Sequence, residues 1–323
     1  MVRQSAKKSP GRRVARAGKN SKSAEKIQIG LRRNLGSRRT LLVAGVSITA
    51  LIIILTGITL FYKVYASPQR VFWDMISNNL STRGFSKQSV RSTGTTISSE
   101  AIQVSFTPSL RVHDIKRVVN SANNTKITVD TIGTPTVDYQ RYSNIDQPAR
   151  AGKKPDYSKI YDMWLKNGGS DSATPQSVNT VIFGAALFGN LSPAQRDKLL
   201  TYLKSSYQIN FNDVGRGKSG SRRTYVYQAS IPLKLYAQGA RLYAAAEGLS
   251  AANQINPASY NDAAQLKVKM TVDVLSRQLT RIEYLQQGVN EIYSGYGIEP
   301  KIDSPKHLVG VEEFNKVLSS INK

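Results

Sequence analysis

Few residues in this chain are of a type and spacing that could carry out a reaction. His113-Asp114 sets a base beside a carboxylate, two parts of a hydrolytic triad, but no Gly-x-Ser-x-Gly elbow supplies the nucleophile. A lone histidine on a strand edge is read instead as a surface or packed residue. Val214-Gly215-Arg216-Gly217-Lys218-Ser219 ends like a phosphate-binding loop, yet the motif's first glycine would fall at Asn212, and a strand rather than a helix follows. The segment is expected to be an exposed hairpin loop whose cations, with Arg222 and Arg223, suit anionic headgroups or cell-wall polymers. Asp130 and Asp138, or Glu283 and Glu291, fall on separate polar faces and make no glycosidase pair. Asn79, Asn123 and Asn190 sit in glycosylation sequons that are read as chance matches. With no cysteine and only His113 and His307, a disulfide scaffold, a thiolate or multi-histidine metal centre and a lipid-anchored cysteine are excluded. No catalytic residue, metal ligand or cofactor is expected, and no enzyme. What remains is aromatic: Tyr225, Tyr227, Tyr284, Tyr293 and Tyr296 are placed to line a ligand cavity, or to serve as the ordinary sheet core that strands favour.

The elements that position these residues follow from periodicity. Ser67-Pro68 opens a helix with Val71, Phe72, Met75, Ile76 and Leu80 on one face. Ile102, Val104 and Phe106 alternate as a strand; Ile127 and Val129 begin another, resumed at Val137 and Tyr139 after Gly133-Thr134-Pro135. Leu110–Val119 fits a strand or a short helix. Residues 145–156 read as a loop, Tyr157–Lys166 and Val178–Phe188 as helices, and Ser192-Pro193-Ala194-Gln195 as a capping box that starts a further helix. Tyr225, Tyr227, Ala229 and Ile231 line one side of a strand. From Leu266 to Val274 every even position is apolar, and Thr280, Ile282 and Tyr284 return as its hairpin partner. Helices are expected at about 234–248 and at 311–321. One-sided strands joined by hairpins imply an α+β fold in which helices cover the single apolar face of an antiparallel sheet.

Charge and hydropathy divide the 323 residues unevenly. Residues 1–39 hold thirteen Lys or Arg against Glu25, a net +12 (13 − 1), half of the chain's +24. Such a tail buries nothing and is expected to be disordered. Thr40–Tyr62 contains no charge, and at about 1.5 Å per residue its 22 residues from Leu41 span about 33 Å as a helix, enough for a bilayer core of about 30 Å. The span from 40 to 62 is therefore expected to be a transmembrane helix, with the tail cytoplasmic and residues 63–323 an extracytoplasmic domain of a cell envelope. The alternative, a signal peptide cleaved after Ala66, meets an apolar stretch and a basic segment that are both too long. The absence of cysteine in an exported domain points to a bacterial source. The tail suits anionic lipid headgroups; without aromatic residues between its cations, nucleic acid is not expected as a partner.

Three stretches carry a family likeness. TYVYQASIPLKLY (strand into helix), LKVKMTVDVLSRQLTRIEYL (hairpin) and EIYSGYGIEPKIDSPKHLVGVEEFNKVL (last strand, exit and closing helix) follow in an order that resembles the LolA and LppX type of lipoprotein-carrier superfamily, best over residues 224–318. The resemblance implies a strongly curved antiparallel half-barrel around helices, with a hydrophobic cavity for lipid or acyl chains. Tyr225, Tyr227, Val268, Met270, Val272, Ile282 and Tyr284 would line that cavity. The chain departs from the pattern in its uncleaved tether, which would prevent free ferrying between membranes. Two functions are expected in turn: a membrane-tethered domain that binds an acyl-bearing envelope molecule, or a structural envelope protein whose basic surface binds anionic wall polymers or partner proteins.

Overall fold

Thr40–Tyr62, uncharged throughout, folds as most of α1 (Arg38–Leu60) and the start of a π-helical turn that extends it over Phe61–Tyr65, in a computed structural model that describes residues 38–149, 154–167, 175–261 and 263–321. The basic tail up to residue 37 and part of the expected 145–156 loop lie outside the described residues. Val46–Tyr65 is the one helix among the described residues long and apolar enough to cross a membrane. The large apolar side chains from Val46 to Leu60 are all exposed.

Residues 57–323 form a compact unit of their own. Proline at the first position starts α2 (Pro68–Asn79), and Val71, Phe72, Met75 and Ile76 are buried along one stripe, as their spacing predicts. Five strands follow: β1 (Gly84–Thr93), β2 (Thr96–Ser105), β3 (Arg111–Asn120), β4 (Thr125–Gly133) and β5 (Asp138–Asp146). The 110–119 stretch is thus a strand. Next come β6 (Trp164–Asn167), α3 (Gln176–Ile182), α4 (Pro193–Ser206), β7 (Gln208–Ile209), β8 (Gly215–Ser219), β9 (Arg222–Pro232) and α5 (Leu233–Ala246). The chain closes with β10 (Gln265–Asp273), β11 (Leu279–Tyr284), β12 (Val289–Ser294), β13 (Leu308–Val309) and α6 (Val311–Ile321).

All thirteen strands join one curved open sheet in the order β13-β6-β5-β4-β3-β2-β1-β12-β11-β10-β9-β7, with β8 also on β9. Every pairing is antiparallel except β13 with β6. The main core lies between one face of this sheet and α2 to α5. A smaller core under α6 gathers Tyr157, Ile160, Met163, Val309 and Phe314.

Three expectations are corrected. Tyr157–Lys166 is not a helix: a single 3-10 turn (Ser158–Ile160) leads into β6, which pairs with β5 and β13. The helix expected over Val178–Phe188 stops at Ile182, and its second half runs irregularly through the interior. That path is possible because tyrosine hydroxyls replace helical hydrogen bonds. Tyr236 donates to Phe183 O, Tyr207 to Ala185 O (2.6 Å) and Tyr243 to Phe188 O (2.5 Å), while Ala185 N donates to Tyr284 (3.2 Å). Thr280 does not share the inner face: Met270 pairs with Ile282 but Val272 with Leu279, a bulge that turns Leu279 into the core.

Candidate functional site

The β8–β9 hairpin turns at Gly220, whose φ of 60° suits a tight two-residue connection. Arg216 pairs with Tyr225 and Lys218 with Arg223, so these four side chains rise from one face of the hairpin. The expected exposed loop is therefore a strand, with its glycines at Gly215 and Gly217 on the opposite face. Tyr62 closes against this hairpin: Arg223 Nη1 donates to its hydroxyl at 2.5 Å, and the guanidinium lies 5.6 Å from the ring centre.

A collar of polar contacts fixes the segment that follows. Tyr225 donates to Ala66 O and Tyr227 to Pro68 O, both at 2.8 Å. Arg277 is buried with a left-handed backbone (φ 55°), a conformation that costs a non-glycine residue about 1–3 kcal/mol. It is held there by its own side chain. Nη1 donates to Val274 O and Nη2 to Tyr65 O (2.6 Å), Nε lies 3.4 Å from Asp74, and the guanidinium stacks 4.3 Å from the Tyr65 ring centre.

Between the collar and the hairpin opens a cleft of about 820 Å³, within the range of about 300–1,000 Å³ typical of small-molecule sites. Its lining is mainly apolar, from Phe61, Ala66, Pro68, Tyr225, Val274 and Leu275, together with Tyr62, Gly217, Thr224 and the cations Arg216, Lys218 and Arg223. Among the described residues no carboxylate lines it. Arg216 and Lys218 are exposed and make no ion pair among the described residues.

Of the seven side chains expected to line a cavity, the structure brings Tyr225 to this cleft. Tyr227, Val268, Met270, Val272 and Ile282 are fully buried in the main core. Tyr227 packs edge-on against Phe72, with ring centres 5.1 Å apart. Two further spaces, beside Gly184 on the inner face, measure about 10 Å³ each, room for at most one water.

Tyr284 belongs to a buried polar cluster that sequence reasoning missed. Lys87 Nζ lies 2.7 Å from Glu291 Oε1, and Tyr284 and Tyr293 donate to Glu291 Oε2 at 3.0 and 2.6 Å. On the same face, burial together with Glu100 pushes Asp114 up to about 7, against the pull of Lys116 and Lys87. The carboxylates expected on polar faces are instead buried at Asp130, Asp138 and Glu291. Each has its own partner: Arg141 for Asp130 (2.8 Å), Ser177 for Asp138, Lys87 for Glu291. Half-burial lowers the pKa of His113, with Asp130 opposing the shift.

The geometry is thus a curved antiparallel sheet over helices, with a mainly apolar cleft lined in part by Phe61 and Tyr62 from the last turn of the apolar helix. No family model and no curated protein matches the chain. Among solved structures, LprF from Mycobacterium bovis is similar, with a TM-score of 0.40 and 12% identity over 74% of this chain and 96% of that one. The likeness is weak and is one of fold outline.

Proposed function

We propose that the protein is a membrane-tethered extracytoplasmic domain that binds a lipid or another acyl-bearing molecule of the envelope. The cleft of about 820 Å³ carries this proposal: it is apolar-walled and built partly from Phe61 and Tyr62 at the end of the anchor. A ligand there would exchange with the bilayer over a short path. The collar supports retention of the anchor, because Ala66 is buried and its carbonyl is bonded to Tyr225, so the domain packs on the residues at the helix end.

The test is native mass spectrometry of the full chain purified in mild detergent. Wild type should carry lipid adducts. Leu275→Asp, which puts a charge on the exposed apolar wall, should lose most of them while melting at the wild-type temperature. A wild type free of lipid overturns the proposal. The exposed cations Arg216, Lys218, Arg222 and Arg223 favour a second reading, adhesion to anionic wall polymers, in which capture of cell-wall material would fall steeply with salt.

A further inference from the structure

We infer that the cleft selects lipids whose headgroup is anionic, specifically a phosphodiester of net negative charge. The inference rests on the proposed lipid site and adds its selectivity. The rim carries Arg216, Lys218 and Arg223, with no carboxylate among the lining residues. Register places all three on one face, so a single headgroup at the mouth meets three cations at once. Arg223 is already oriented by Tyr62, which lowers the entropy lost on binding, and its remaining donors stay open to a phosphate oxygen. Arg216 and Lys218 have no acidic neighbour within 4 Å among the described residues, so recruiting them breaks no ion pair. Arg222 differs. It pairs with Ser219 on the opposite face, and its guanidinium lies 4.0 Å from Asp273. The hairpin thus separates a neutralised cation outside the cleft from unneutralised ones at its mouth. The same cleft is lined by the apolar side chains of Phe61, Pro68, Val274 and Leu275, which suit the acyl part of the same molecule and not a free phosphate or a polyanionic polymer.

The full chain is reconstituted in nanodiscs of phosphatidylcholine with a minor fraction of phosphatidylglycerol, and the lipids that leave with the protein are counted by native mass spectrometry. Wild type should hold phosphatidylglycerol enriched over its share of the disc. Arg216→Gln/Lys218→Gln should lower that enrichment about thirtyfold while still retaining lipid, because the apolar walls are intact. Lys198→Gln/Lys267→Gln removes the same charge from exposed positions outside the cleft and should leave the enrichment unchanged. This comparison also cancels the contribution of the basic tail, which all three proteins share. Lipid retained without enrichment, or equal losses in both double variants, overturns the selectivity and leaves the lipid site standing. A wild type that retains no lipid at all removes both.

Discussion

Lys87 and Glu291 meet from positions 204 residues apart. Each would be costly to bury alone, and the two tyrosines on Glu291 complete its coordination. Lys87→Met should therefore destabilise the protein by about 3–5 kcal/mol, because a carboxylate stays behind in the core. Lys87→Met/Glu291→Leu should recover most of that loss; urea titrations of the full chain in detergent decide between the two. Asp114 and Glu247 give the molecule a pH response of definite sign. Burial lifts both carboxyls to about 7, from ordinary values of 3.8 and 4.5. The folded state then holds protons that the unfolded chain releases, so this contribution is full below about pH 4 and is lost as pH rises through about 7. The melting temperature should fall between about pH 5 and about pH 8, and Asp114→Asn/Glu247→Gln should flatten that slope.

Between Phe183 and Gly189 the chain has too little regular structure to satisfy itself and depends on hydroxyls from other elements. Tyr243→Phe leaves Phe188 O buried without its donor and should cost about 1–3 kcal/mol, read by thermal melting. Tyr207→Phe should do the same at Ala185 O. No local signal in the sequence could reveal this, since donors and acceptors lie between 22 and 99 residues apart. The apolar run at 178–188 looked helical because only burial was legible in it. By contrast α2, β9 and β10 were legible because their own spacing encodes which face is dry, and the capping box at Ser192 forms with both of its hydrogen bonds. The cleft was half legible. Its cations stood out in the sequence, but the register that turns Arg216 and Lys218 toward Phe61 and Tyr62 depends on a hairpin meeting a helix end some 160 residues earlier. The inner-face residues Val268, Met270, Val272 and Ile282 were correctly placed on the dry side of the sheet; periodicity does not reveal whether helices or open space face them.

At the scale of the whole molecule, Arg277 couples the domain to the last turn of the helix. Arg277→Gln removes the ring stacking and the ion contact together. It should speed hydrogen exchange at the Ala66 amide, now bonded to Phe61 O at 2.8 Å, and lower stability by about 1–3 kcal/mol, both measurable in nanodiscs. An unchanged exchange rate would mean that the tyrosine bonds alone hold the collar.

The margins of the sheet have their own consequence. An open sheet has two borders, and each offers unpaired backbone to any neighbour that could extend it. Here β13 and β7 are only two residues long, and the longer border strand β8 bears Arg216 and Lys218 between glycines. Among the described residues the terminal strands β13 and β7 therefore give copies crowded together on one surface only short templates for strand-by-strand growth.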